Sequence, residues 1–219
     1  SWHDRFAYVM TDNAFFDLRD RREISRPAFD ALFRHISCRS THTGRRTEAS
    51  TYFDEQRQPK GARTLTSVTY AAGEPVMVSR DGEFFGNRWR DARPQPKEGE
   101  TWDGDVSMWL KHCEMLVPER AEREHIYNIM AFKLQHPSVK INHAVVHGGG
   151  EGCGKDTMWA PFIWSVCGPG LKNRGLLDND NLHSQWGYQL ESEILIINEL
   201  KEPEARERRQ LANKLKPII

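Results

Sequence analysis

Apolar residues fall in short blocks along this chain, and the period of each block predicts an element. Residues 6–10 and 15–18 are apolar and aromatic runs on either side of Thr11, Asp12, Asn13 and Ala14, a spacing that suits a hairpin of two brief strands. Ser25 then precedes Pro27, and Phe29, Leu32, Phe33 and Ile36 follow at i, i+3, i+4 and i+7. This predicts a capped helix with one buried face, its aromatics in the core. Residues 38–62 are polar and basic, with Arg39, Arg45, Arg46, Arg57 and Lys60 among Ser, Thr and Gly, and are expected to be mostly loop. Residues 64–70, 75–79 and 83–87 are separated by the turn pairs Ala72-Gly73 and Asp81-Gly82, and read as a small antiparallel meander.

Residues 92–100 carry Pro94 and Pro96 among charged positions, which opposes both helix and strand and marks a linker. Beyond it Asp103 or Asp105 is placed to cap a helix running to Leu116. A second helix is expected over 118–135, with Ile126, Ile129, Met130, Phe132 and Leu134 on its apolar faces. Residues 143–147 read as a buried strand ending in three glycines, residues 155–166 as a helix, and residues 194–197 as another apolar strand.

The glycine-rich turn carries the chemistry. Gly149-Gly150-Glu151-Gly152-Cys153-Gly154-Lys155 fits the G-x-x-x-x-G-K pattern of a phosphate-binding loop, with the expected strand before it and helix after it. Glycines let successive backbone N–H groups converge on phosphate oxygens, the new helix adds the positive end of its dipole, and Lys155 adds a point charge. Gly150, Glu151, Gly152, Cys153, Gly154, Lys155, Asp156 and Thr157 are therefore the candidate ATP contacts. Asp156 stands where this motif usually has Ser or Thr on Mg2+, so either its carboxylate or the Thr157 hydroxyl is the candidate metal ligand.

Downstream, the strand at 194–197 ends in Asn198 and Glu199, the form of a strand that delivers a carboxylate to the metal and the attacking water; Glu199 is the candidate for polarising that water. Asn198 is neutral and cannot supply a carboxylate's charge. The fold class expected is thus α/β: a truncated P-loop NTPase core at 142–219, preceded by a helical adaptor at 99–141 and a small α+β accessory region at 1–98.

Composition narrows the setting. Lys plus Arg equals Asp plus Glu at 31 each, so any nucleic-acid surface has to be a local patch. The four cysteines form no C-x-x-C pair and are expected to be reduced thiols; His35, Cys38 and His42 lack an evident fourth ligand for zinc. Ser1-Trp2-His3-Asp4 does not read as a basic and apolar leader and is expected to be a cut inside a longer chain. No apolar run approaches about 18 residues, and the expected location is the cytoplasm of a bacterial host cell.

Taken together, Asn87-Arg88-Trp89, residues 131–137 (AFKLQHP), Gly152 to Thr157, Trp186, residues 197–200 (INEL) and Lys214-Leu215-Lys216 resemble the primase-helicases of phages and prophages, relatives of the virus-type superfamily 3 and poxvirus-type enzymes. That resemblance implies an accessory region, a helical adaptor and an ATPase that assembles as a homo-oligomeric ring on single-stranded or forked DNA. It implies that Lys155 binds phosphate, that Glu199 orients water, and that Lys214 or Lys216 lies in the segment leading to the DNA-facing loop. By the same resemblance the sensor strand and the arginine finger of a full motor would follow Ile219, so the piece is expected to be weak or inactive alone. Two other readings fit the loop: a phage-type nucleoside monophosphate kinase, whose loop can also read Gly-Lys-Asp-Thr but usually sits near the amino terminus, and a DNA- or protein-binding module with a structural P-loop.

Overall fold

A computed structural model describes residues 2–57, 63–101, 103–177 and 191–198. The chain divides into two units, residues 1–90 and 91–219. Both mix helices with small sheets, and none of the described helices is long and apolar enough to cross a membrane.

In the first unit, a short helix α1 (Trp2–Arg5) leads into β1 (Phe6–Val9), β2 (Ala14–Asp17) and β3 (Arg22–Ser25), followed by α2 (Arg26–Leu32). The expected hairpin is present: β1 and β2 are antiparallel, with Phe6 opposite Asp17 and Val9 opposite Ala14. Asn13 and Arg21 take positive φ in the two turns. Nearly every side chain of β1 and β2 is buried, because the sheet is covered on both faces. The period of two sends Phe6 and Phe15 to one face, where they meet Ile24, Phe29 and Phe53; Ala7, Val9, Ala14 and Phe16 go to the other, against Leu65 and Val68.

Ser25 caps α2 as its position suggests, its hydroxyl accepting from the Ala28 N–H at 3.4 Å. The buried face is narrower than the i, i+3, i+4, i+7 pattern predicts. Phe29 is fully buried and Phe33 packs at the core's edge, but the helix stops at Leu32, which leaves Leu32 and Ile36 exposed.

The stretch expected to be loop contains a two-residue hairpin, β4 (Cys38–Arg39) with β5 (Arg46–Thr47), and a nine-residue helix, α3 (Ala49–Arg57). The helix lacks a local signal because its cap comes from elsewhere. The Asp30 carboxylate on α2 accepts from the Ser50 N–H at 2.7 Å and the Ser50 hydroxyl at 3.0 Å, supplying an anion at the amino end.

The expected antiparallel meander is corrected to a mixed arrangement. β6 (Thr64–Leu65) joins the first sheet beside β1 in parallel, giving the order β3-β2-β1-β6. β7 (Ser67–Thr69), β8 (Met77–Arg80) and β9 (Glu83–Asn87) form a second sheet in the order β7-β9-β8. Only β8 and β9 are joined by the Asp81-Gly82 hairpin; β7 pairs with β9 in parallel because the 70–75 turn carries the chain across the sheet. That turn is held by Asn87, fully buried: its Oδ1 accepts from the Ala71 and Trp89 N–H groups, and its Nδ2 donates to the carbonyls of Ala71, Glu74 and Pro75. Gly86 lets the two sheets approach, since a Cβ there would lie 2.9 Å from the Phe16 ring and 3.0 Å from Leu65.

Asp17 closes β2 from a fully buried position. It accepts from the Arg5 Nη2 at 2.7 Å and from the N–H groups of Arg19 and Asp20 at 3.0 and 3.1 Å. Burial by itself pushes its carboxyl up, but the Arg5 bond and the two backbone donors more than offset this and hold it below the usual range. Asp17→Asn is therefore expected to lower unfolding stability by about 2–3 kcal/mol near neutral pH, an estimate reduced from the fully buried case because Arg5 is partly exposed. The folded-state pKa is depressed, so the ionised pair stabilises fully above the unfolded value near 4 and loses this as the pH falls through the folded one. Urea melts of both proteins should show a gap that is constant above about pH 5 and closes below about pH 4.

In the second unit, α4 (Ser107–Leu116), α5 (Arg120–Gln135) and α6 (Lys155–Cys167) pack on one another around Cys113, Ile126, Met130, Met158, Phe162 and Val166. The N-cap of α4 is Val106, which offers no capping side chain, so neither Asp103 nor Asp105 is the cap, although Asp105 just before it accepts from the Ser107 N–H at 2.8 Å. The Glu119 side chain caps α5, accepting from the Ala121 N–H at 3.3 Å. β10 (Arg174–Leu177) and β11 (Ile194–Ile197) form a parallel pair, Leu177 opposite Ile197, and Ile194 packs against the helical core. The β11 expectation holds; β10, where Gly175 interrupts the apolar run, carried no strand signal.

Candidate functional site

The site is built on the segment entering α6. Residues 143–147, expected as a buried strand, form no strand and have no ladder partner among the described residues, and Val146 is 93% exposed. This corrects the buried-strand expectation, and the anchoring is by side chains instead. Val145 packs on the helical core, and the His147 Nδ1 accepts from the Trp159 indole at 3.0 Å. Burial and the nearby Lys155 ammonium both push His147 below the usual histidine range, which favours the neutral ring that this bond requires.

Gly152 and Gly154 take φ of +68° and +90°, conformations that favour glycine and turn the chain abruptly into α6. Gly154 is the N-cap of that 13-residue helix, and no side chain caps it. The first turn therefore has no capping side chain at its N–H groups, with the helix dipole behind them. Lys155 folds back over the loop: its Nζ donates to the Gly149 and Gly150 carbonyls at 2.9 and 2.8 Å and lies 3.6 Å from the Cys153 sulfur. Glu151, Cys153, Asp156 and Thr157 are exposed around it. Cys38, Cys113 and Cys167 are buried free thiols; burial pushes Cys167 up to about 11, so Cys153 is the accessible thiol among the four.

Two residues at the loop had no sequence signal of their own. His112 and Trp109 on α4 are three apart and share a face. The His112 Nε2 donates to the Gly154 carbonyl at 2.9 Å, and the Trp109 indole donates to the Met158 carbonyl at 3.0 Å. Because a carbonyl only accepts, the bond fixes the proton on the His112 Nε2. A Cβ on Gly154 would lie 2.6 Å from the His112 ring, so glycine is required here by close approach as well as by φ. The only sequence hint was two ring N–H donors on one otherwise apolar helix face.

Asn198 is exposed at the carboxyl end of β11, its N–H donating to the Leu177 carbonyl at 3.0 Å. Glu199, Trp186, Lys214 and Lys216 lie outside the described residues. Among the described residues no three His, Cys, Asp or Glu side chains gather as a metal cluster.

No protein-family model and no curated protein matches the chain. Solved structures do match. The chain is similar to the apo structure of the NrS-1 C terminal region (305-718), with a TM-score of 0.67 at 14% identity over 96% of this chain and 46% of that one. It is also similar to the A form apo structure of the NrS-1 C terminal region, at 0.59 and 14% over 95% and 47%. The chain thus spans about half the length of these solved chains, and the likeness is one of fold.

Proposed function

We propose that residues 142–219 form the nucleotide-binding part of an ATP-driven DNA helicase motor used in phage or prophage replication. The observation that carries this reading is the turn from a glycine loop with two left-handed glycines into an uncapped helix, with Lys155 folded across it. Such a surface offers backbone N–H groups, a helix dipole and one ammonium to a polyanion, and an incoming phosphate replaces the two loop carbonyls as the partner of Lys155. The fold likeness along 96% of the chain supports the same reading, because it covers accessory, adaptor and loop regions in one order.

Asp156 or Thr157, both exposed in the first turn of α6, would hold a hard cation such as Mg2+. When bound, Mg2+ supplies positive charge that offsets the repulsion between the Asp156 carboxylate and a triphosphate. Glu199, directly after Asn198, is assigned the role of orienting the attacking water. Lys214 or Lys216 is assigned a place near the DNA.

The test is hydrolysis of ATP by the longer protein with and without single-stranded DNA, run beside a deoxynucleoside monophosphate phosphorylation assay. Stimulation of hydrolysis by DNA, several-fold or more, is expected. Phosphoryl transfer to the monophosphate with no response to DNA would replace the motor with a kinase.

A further inference from the structure

The first unit carries a charged surface unrelated to the phosphate loop. In the β4–β5 hairpin Arg39 stands directly opposite Arg46. Their neighbours Cys38 and Thr47 turn inward, Cys38 being buried, so both guanidinium groups leave the same outer face. Like charges in opposed positions of an antiparallel pair destabilise it. Neither arginine makes an ion pair among the described residues, and Arg34 and Arg45 are exposed nearby in sequence.

The carboxylates of the surrounding segments are largely engaged elsewhere. Glu55 accepts from the Ser40 hydroxyl at 2.7 Å, from the Thr41 N–H at 2.7 Å and from the Thr41 hydroxyl at 3.1 Å, locking the hairpin tip. Asp30 is committed to Ser50. Glu48 is exposed on the segment after β5. The fold thus holds two like charges side by side while Glu55 and Asp30 are committed to backbone and hydroxyl donors.

Beside the hairpin lies an open cleft of about 650 Å³ lined by Trp2, Ile36, Cys38, Arg39, Ser40 and Tyr52, among others. Trp2 and Tyr52 are half-buried, their rings 6.2 Å apart and nearly perpendicular, and Trp2 leans on Phe33 at 4.2 Å. Aromatic rings in a concavity that Arg39 lines, with Arg46 opposite it in the hairpin, match one ligand chemistry: unpaired bases joined by phosphates. A base gains by stacking on an aromatic ring, and the phosphates relieve the opposed arginines.

We propose that this cleft and the β4–β5 hairpin form a single-stranded nucleic-acid surface, with Arg39 and Arg46 on the phosphates and Trp2 and Tyr52 against the bases. It does not rest on the nucleotide reading, because it needs neither Lys155 nor ATP.

The test uses the whole chain and a fluorescein-labelled oligothymidylate, with anisotropy read at several salt concentrations and no nucleotide present. The double variant Arg39→Gln/Arg46→Gln is expected to bind about tenfold or more weakly, and its salt slope should be shallower by about 1.4, or 0.7 for each lost phosphate contact. Its Tm should hold or rise, since the opposed charges are gone. Trp2→Leu, which keeps an apolar filling, is expected to weaken binding about fivefold or more at an unchanged slope. Lys155→Ala should bind like the parent. An Arg39→Gln/Arg46→Gln protein within twofold of the parent, or one whose weaker binding follows a lowered Tm, overturns the proposal; a silent Lys155→Ala in an ATP titration would sink the nucleotide reading and leave this one standing.

Discussion

Lys155→Ala is expected to weaken binding of a fluorescent ATP analogue by about a hundredfold or more while the protein stays folded. Two charge-assisted hydrogen bonds to phosphate oxygens, at about 1.5–3 kcal/mol each, supply a loss of that size. In the free protein the ammonium is satisfied by the Gly149 and Gly150 carbonyls, both on an exposed loop, so truncation leaves no buried group without a partner. The Tm should therefore change little. The same substitution removes the nearby charge that helps to depress His147, so the His147 ring should titrate at higher pH in the variant, followed by its NMR shifts. Titrations in magnesium and in EDTA add a second reading, because Asp156 in the first turn of α6 should make parent binding depend on the metal. Affinity within threefold of the parent, in magnesium, would remove Lys155 from the phosphates.

What could be read from residue order was what residue order encodes. The Ser25 cap, the alternation of β1 and β2, the Asp81-Gly82 hairpin and the helix after Lys155 are local, and each was legible. Elements set by distant partners were not. Helix α3 owes its amino-terminal bond to Asp30, some twenty residues earlier. β7 pairs in parallel because Asn87 fastens the 70–75 turn, and nothing in 67–69 announces that. Asn87-Arg88-Trp89 was legible as a motif, but the structural part it plays became clear only from the bonds it makes.

At the glycine-rich loop the divide is the same. Gly152, Gly154 and Lys155 could be named from spacing alone, whereas the His112 contact, 42 residues away, needed the packing of α4 on α6. The buried-strand expectation for residues 143–147 failed because periodicity reports an apolar run and not whether a neighbouring strand is there to pair with it. Val145 is nonetheless held by the helical core and His147 by Trp159 of α6, instead of a ladder.

Gly154→Ala tests this packing through a cycle with His112→Ala. Two separate costs fall on a methyl group at position 154. The left-handed backbone, φ +90° and ψ 23°, costs a non-glycine residue about 1–2 kcal/mol. Contact with the His112 ring at 2.6 Å adds an overpacking cost of about 1–3 kcal/mol, because the ring is also tied to the Gly154 carbonyl and cannot withdraw without giving up that bond. In the parent the substitution should therefore destabilise by about 2–5 kcal/mol in urea melts, and nucleotide affinity should fall with it, since the loop and the first turn of α6 must shift together. In the His112→Ala background the steric part disappears and the backbone part remains, so the same change should cost about 1–2 kcal/mol. The difference between the two backgrounds, about 1–3 kcal/mol, is the coupling that the geometry demands. Costs that agree within about 0.5 kcal/mol in both backgrounds would mean that α4 does not brace the loop through His112, and that Gly154 answers to its φ angle alone.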